Sequence, residues 1–349
     1  MATHEHEITA PVDLCGPGGR LNPAAVGWSR KPLHRANLRG WGRTKRWEYW
    51  CVTTPTHLVA LTVSDLDFLG LNTVYVLEYG PGGREFERTA IVPGARGITL
   101  PEAVAGAPGS ADVVVGPARP TRGAVRIEIR DEPGGTRLRA RCLTPDRQPV
   151  EVDLLVSRPA GHESLSVVVP WSSTRFQYTS KQTALPATGR VRIGTDVLPF
   201  AAEDTWAVLD HGRGRWPRSV DWNWGAASGR TDGRTVGLQF GGRWTAGTGS
   251  TENGLCVDGR LTKIGEELAW NWSPEDLLSP WTVRTPSSDQ VDLAFTPFHN
   301  RSTRTEAGLI ANRTDQCFGH YDGRIRTDDG TEIVVERLLG WAEDVHMRW

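Results

Sequence analysis

The chain reads as an all-β protein built from two antiparallel β units in tandem, and three observations predict it. Apolar and polar residues alternate at period two in repeated short runs, the pattern of half-buried strands. Turn-forming pairs recur at short spacing between those runs. Stretches of high helix propensity are scarce, while 39 glycines and 23 prolines punctuate the sequence.

The alternating runs include Val125–Ile129, Val150–Val156, Val191–Ile193 and Ile333–Val335, each bounded by Gly, Pro, Asp or Asn. The turns are Pro81-Gly82-Gly83, Pro133-Gly134-Gly135, Asp232-Gly233, Asp258-Gly259, Asp322-Gly323 and Asp329-Gly330. Asp-Gly pairs suit tight hairpins because both central residues tolerate positive φ. This density of strands and turns predicts a sandwich or barrel, not βαβ units. Two short helical turns are expected, at Pro101–Val104 and at Ser273–Leu278. In the second, Ser273 stands at the N-cap and Pro274 at the first helical position.

A chain of 349 residues has room for two domains. Leu185-Pro186-Ala187-Thr188-Gly189 reads as punctuation, so the expected division is 1–190 and 191–349. The first part holds tryptophans 28, 41, 47, 50 and 171, and the second holds the other ten.

Basic and acidic residues balance to a net charge of −1, so no global field draws the chain to nucleic acid or to an anionic membrane. Lys31, Lys45, Lys181 and Lys263 are the only lysines. That fits a GC-rich coding sequence, or lysines retained where arginine does not substitute. Cysteines 15, 51, 142, 256 and 317 are far apart and form no C-x-x-C pair, which argues for a reducing compartment. The N-terminus lacks the basic and apolar regions of a signal peptide, and no run approaches 18 apolar residues. A cytoplasmic address is expected, with no integral membrane association. His4 and His6 fall in a terminus expected to fray. H-E-x-x-H, Gly-x-Ser-x-Gly and a strand-borne G-x-G-x-x-G are all missing, so no metal or nucleotide cofactor is expected.

Four segments carry candidate chemistry. In Asp210-His211-Gly212-Arg213-Gly214-Arg215-Trp216-Pro217, a carboxylate, an imidazole and a cation fall within four residues. Just beyond, Trp222 and Trp224 share one strand face with Asn223 opposite. Asp210 in an aromatic cavity would act as general acid or base; the bland alternative is an Arg–Asp pair locking a Gly-rich turn. The second segment offers Glu252 and Asn253 after a small polar loop, either to place water or a substrate hydroxyl or as a solvated turn. The third, Trp171 to Lys181, sets Tyr178 three residues before Lys181. Its context is extended, unlike the helical Tyr-x-x-Lys of dehydrogenases, so both are expected to contact ligand or to be structural. The fourth interleaves Trp28, Arg30, Lys45, Arg46, Trp47 and Trp50, best read as Arg stems on Trp faces, with single-stranded nucleic acid as the alternative.

Taken in order, Gly19-Arg20-Leu21-Asn22-Pro23, Gly27-Trp28-Ser29-Arg30, Pro170-Trp171-Ser172, Arg175-Phe176-Gln177-Tyr178-Thr179, Asp210 to Pro217, Trp222-Asn223-Trp224, Thr251-Glu252-Asn253, Gln316 to Gly323 and Gly340-Trp341-Ala342-Glu343 resemble the family of domain of unknown function 2804. A more distant similarity is to the lipocalin-like tandem β-barrel group, which includes hydroxyneurosporene synthase, AttH-like proteins and fungal cyclases. That resemblance implies two lipocalin-like barrels with a Trp-rich, Asp-bearing segment early in the second. The hydratase has an Asp-His-x-Trp-Gly run there. This chain keeps Asp210-His211 but has Gly-Arg-Gly-Arg before Trp216.

The expected function is a cofactor-independent enzyme of hydratase, dehydratase, isomerase or cyclase type. Its substrate would be a hydrophobic small molecule held in a Trp-lined cavity. Asp210, Glu252 and Arg213 are the expected catalytic residues, with Arg213 orienting Asp210. His211, Trp216, Trp222, Asn223, Trp224, Asn253, Tyr178 and Lys181 are expected to bind substrate. A non-catalytic lipid or terpenoid carrier is the alternative, followed by carbohydrate binding and by a scaffold. Oligomeric state is left open.

Overall fold

A computed structural model describes residues 4–119, 121, 123–307 and 310–349. Strands account for 60% of the chain and helices for 2%. The architecture is the expected one: two curled antiparallel half-barrel sheets in a tandem lipocalin-like arrangement.

The first sheet runs, in spatial order, Glu85–Pro93, Leu69–Glu78, His57–Asp65, Thr44–Thr53, Trp206–Arg215, Arg175–Ile193, Pro149–Ser157, Gly135–Leu143, Arg126–Glu132 and Val113–Val115. The second runs Arg260–Ile264, Asn253–Val257, Arg234–Gly242, Ser219–Thr231, Glu332–Arg348, Ile310–Arg326, Val291–Ala307, Trp281–Arg284 and Ala269–Asn271. Alternation gives each strand one face for the interior of its own half-barrel and one for the neighbouring sheet or, as in Gly135–Leu143 and Pro149–Ser157, for solvent. Trp50, Val52, Leu61, Leu154 and Leu209 fill the first interior. Leu238, Phe240, Leu255, Trp281 and Phe295 fill the second. A third apolar cluster joins the sheets, with Tyr49, Cys51, Tyr75 and Val208 from one and Trp224, Phe318 and Trp341 from the other.

The expected division at 190/191 falls inside the continuous strand Arg175–Ile193, and strands of the first sheet continue to Arg215. The change of sheet comes between Arg215 and Ser219. Leu185 to Gly189, read as punctuation, is where that long strand bends. Its first half pairs with Trp206–Arg215 and its second with Pro149–Ser157, with a register shift between Gln182 and Leu185 and Ala184 at φ 55°.

Asp232-Gly233 and Asp258-Gly259 make the tight hairpins predicted, each with both residues at positive φ. Asp322-Gly323 does not turn the chain: it lies within a strand, at a register shift between Tyr321 and Gly323. Neither expected helical turn forms. Pro101–Val104 is irregular, and Ser273 accepts the Asp276 amide at 3.3 Å as an N-cap would, yet no helix follows. The helical residues are instead the 3-10 turns Pro17–Gly19 and Pro23–Ala25. Residues from Glu5 onward are docked, not frayed: the amide of Trp28 donates to the carbonyl of His6, and the Glu5 carboxylate takes Lys263 Nζ at 2.6 Å. All five cysteines are free and buried. Among the described residues no helix is long and apolar enough to cross a membrane.

Candidate functional site

Three adjacent strands of the first sheet, Thr44–Thr53, Trp206–Arg215 and Arg175–Ile193, set two different groups of polar residues on their two faces. Register pairs Lys181 with Asp210 and Asp210 with Tyr49. These three residues therefore share one face, the one that meets the second sheet. His211 pairs with Ser180 and Glu48, and Arg213 with Tyr178, on the opposite face.

On the face between the sheets, Lys181 Nζ lies 2.9 Å from Asp210 Oδ2 and 3.4 Å from Glu252 Oε1. It also sits 4.1 Å from the centroid of the Trp224 ring. Thr179 Oγ1 donates to Asp210 Oδ1 at 3.2 Å. Across the cluster, Trp222 Nε1 and Gln316 Nε2 donate to the two oxygens of Glu343 at 3.2 and 2.9 Å, and Gln316 Nε2 also reaches Tyr49 Oη at 3.1 Å. Lys181, Asp210, Glu252, Trp224 and Glu343 are all buried.

The charges explain one another. Burial opposes the Lys181 ammonium, but Asp210 and Glu252 outweigh it and hold the amine above its ordinary range. Burial pushes the Glu252 carboxyl up to about 7, opposed by Lys181 and reinforced by Asp210. Burial likewise lifts Glu343 to about 7, against the Trp222 hydrogen bond and the charge of Lys181. A site with two carboxyl groups that gain and lose protons near neutrality can act as acid and as base.

The expected site residues divide accordingly. Asp210, Glu252, Lys181, Trp222 and Trp224 come together. Trp224 offers its ring to Lys181, so that face is already occupied. Trp216 lies one step away in an indole cluster, stacked on Trp244 at 5.9 Å and edge-on to Trp47, Trp171, Trp222 and Trp349. Asn223 and Asn253 point the other way along their strands. Asn223 Nδ2 donates to the Glu343 carbonyl, and Asn253 Oδ1 accepts the Gly241 amide at 2.7 Å, which are backbone-pinning roles.

Arg213 does not orient Asp210. Its guanidinium is on the far face, donating to Glu48 Oε1 at 2.6 Å and to the carbonyls of Trp47, Gly212 and Pro101. His211 Nδ1 meets the same Glu48 oxygen at 2.7 Å. Tyr178 packs there too, its ring against His34 and His211. Two residues along a strand share a face and three do not, so Asp210 and Arg213 diverge; Lys181 takes the place expected of Arg213.

The Gly-Arg-Gly-Arg run now has a cause. A Cβ on Gly212 would lie 2.0 Å from the Trp47 ring, and one on Gly214 would lie 2.1 Å from Gln177 Oε1. The glycines leave room for the Trp47 indole and for the Gln177 oxygen that accepts Trp216 Nε1 at 2.7 Å.

Sequence reasoning missed Glu343, Gln316 and Tyr49 as site residues. The signal for Glu343 was present in Trp341-Ala342-Glu343: the period-two spacing puts the carboxylate on the face of Trp341, which packs edge-on to Trp224 at 5.2 Å.

The family model described as Domain of unknown function (DUF2804) matches residues 5–349. The chain belongs to this family. No curated protein matches it. Among solved structures, this DUF2804 chain is similar to an AttH-like protein of Nitrosomonas europaea, at 14% identity and TM-score 0.48 over 88% of this chain and 92% of that one. It is similar to kievitone hydratase from Nectria haematococca, at 8% identity and TM-score 0.46 over 87% and 88%. It is also similar to CghA bound to Sch210972, at 9% identity and TM-score 0.42 over 87% and 88%.

A cavity of about 500 Å³ lies elsewhere, between Thr54–His57, Glu78–Gly83 and Leu198–Thr205. It does not touch Lys181, Asp210 or Glu252. The indoles bordering the carboxylate cluster that are only half-buried are Trp47 and Trp222.

Proposed function

We propose that this DUF2804 protein is a cofactor-independent acid–base enzyme acting on a hydrophobic small molecule, by hydration, dehydration, isomerisation or cyclisation, at the Lys181–Asp210–Glu252–Glu343 cluster. One observation carries the reading: the buried carboxylates of Asp210 and Glu252 bracket a buried ammonium at 2.9 and 3.4 Å, with a third carboxyl group, Glu343, buried nearby between the two apolar sheets. Removing such charges from water costs several kcal/mol per ion, and hydrophobic residues of the same volume are often as stabilising or more so. A carrier for apolar ligands needs no such arrangement.

In this reading Glu252 exchanges the proton, because its carboxyl is poised near neutrality. Glu343 is the complementary acid or base on the neighbouring strands. The Lys181–Asp210 pair fixes the local field. Trp222, whose indole is hydrogen-bonded through its N–H, lends a π face to positive charge that develops on substrate. Substrate reaches the cluster past Trp47 and Trp222.

The test is to titrate intrinsic tryptophan fluorescence with a panel of hydrophobic ligands and analyse each mixture by mass spectrometry. A ligand chemically changed by the wild type, and changed about 10²–10⁴-fold more slowly by Glu252→Gln, supports the enzyme. Equal turnover by Glu252→Gln overturns the assignment, and saturable quenching with every ligand recovered unchanged replaces the enzyme with a carrier.

A further inference from the structure

We infer that the site selects apolar molecules whose head group donates a hydrogen bond, an alcohol or an amine, and excludes carboxylate and phosphate head groups. The inference rests on the reading of this cluster as the ligand site, and it narrows the substrate class.

Its ground is the saturation of the positive charges beside the three carboxylates. Lys181 has three N–H donors. Its ammonium meets Asp210 Oδ2 at 2.9 Å, faces Glu252 Oε1 at 3.4 Å and lies 4.1 Å from the Trp224 ring centroid. An arriving anion finds no uncommitted side on it. Arg213 is spent on Glu48 and three carbonyls behind the sheet. Arg301 grips Glu87 Oε2 with two nitrogens, at 2.7 and 3.0 Å, and gives a third to Gln316 Oε1 at 3.1 Å. Lys263 holds Glu5.

Four neutral donors beside the cluster are committed as well, while the buried Trp341 Nε1 and Gln177 Nε2 have no hydrogen-bond partner. Trp222 Nε1 donates to Glu343, Trp224 Nε1 to Gln239, Trp216 Nε1 to Gln177 and Trp171 Nε1 to the Trp244 carbonyl. What the cluster still offers is acceptor capacity: each carboxylate oxygen takes two hydrogen bonds, and the contacts of Asp210, Glu252 and Glu343 leave about half of that capacity open. A hydroxyl or an ammonium completes this set. A carboxylate or phosphate meets three carboxyl groups with one cation among them, already shared.

The experiment uses the full chain at about pH 8, where the cluster carries more negative charge. Tryptophan fluorescence is titrated with decanol, decylamine and decanoate, each below its micelle-forming concentration. Decanol or decylamine is expected to saturate at a concentration at least about tenfold lower than decanoate, and Glu252→Gln is expected to narrow that gap. Decanoate binding as tightly as decanol, weakened by Lys181→Met, overturns the inference while leaving a ligand site at the cluster. Quenching by none of the three, or quenching that Glu252→Gln leaves untouched, overturns both the inference and the reading beneath it. The wild-type comparison decides even where a variant fails to fold.

Discussion

Lys181 and Asp210 are register partners on adjacent antiparallel strands, and their side chains meet at 2.9 Å on the face that packs against the second sheet. The strand pairing alone brings them together. Docking of the second sheet then takes both out of water and adds Glu252. Removing one partner of a buried pair leaves the other uncompensated, so Lys181→Met is expected to cost about 3–5 kcal/mol. Asp210→Asn in that background is expected to recover part of the loss. A double-mutant cycle by denaturant titration should return a coupling of about 1–3 kcal/mol. Strict additivity would mean that the two side chains do not interact in solution.

Glu252 and Glu343 make stability depend on pH in a defined direction. Each has an ordinary value of 4.5 and is raised to about 7 in the fold. Between those values the folded chain binds more protons than the unfolded chain, so their contribution falls as pH rises from about 4.5 to about 7. Glutamine at 252 removes that site's share. The melting temperature of Glu252→Gln relative to wild type is therefore expected to rise by a few degrees between about pH 5 and about pH 8. A difference that stays flat or falls over this range would refute a raised Glu252.

The strands and most hairpins were legible because period two and Asp-Gly pairs are local signals. What crosses between strands was not. Asp210 and Arg213 lie close in sequence, yet alternation sends them to opposite faces, and nothing local announces that Lys181 is the residue across from Asp210. Lysine usage held a hint. Three of the chain's four lysines, 45, 181 and 263, are buried. Lys45 lies over Phe68 and Trp349, Lys181 over Trp224, and Lys263 binds Glu5. The two cations are not interchangeable at buried sites of this kind. The sheet boundary was missed because Leu185 to Gly189 carries loop-like residues inside a strand that bends without ending.

The network behind the sheet is expected to be structural. Glu48 is held below the usual carboxylate range: burial opposes its charge, and His211 and Arg213 overcome that. Its contribution is present above about pH 4.5 and lost as pH falls through the depressed value. Glu48→Gln leaves Arg213 buried without its counter-ion and should cost about 3–5 kcal/mol in denaturant titrations. Turnover or ligand binding measured below the unfolding transition should survive, because these groups face away from Lys181. Loss of binding with stability intact would move Glu48 into the site.

Gly212 links the Asp210 strand to the indole cluster. A methyl group there would sit 2.0 and 2.1 Å from two atoms of the Trp47 ring, and an indole pinned on a strand cannot yield by bending its far end. Trp47 would have to change rotamer and give up its edge contact with Trp216, whose ring centroid is 5.6 Å away. Gly212→Ala is therefore expected to cost about 1–3 kcal/mol and to shift the tryptophan emission. The decisive measurement is the same substitution in a Trp47→Ala background. With the indole gone the methyl group has space, so the cost should largely vanish. An equal penalty in both backgrounds would place the constraint on the backbone at 212 rather than on the ring that covers it.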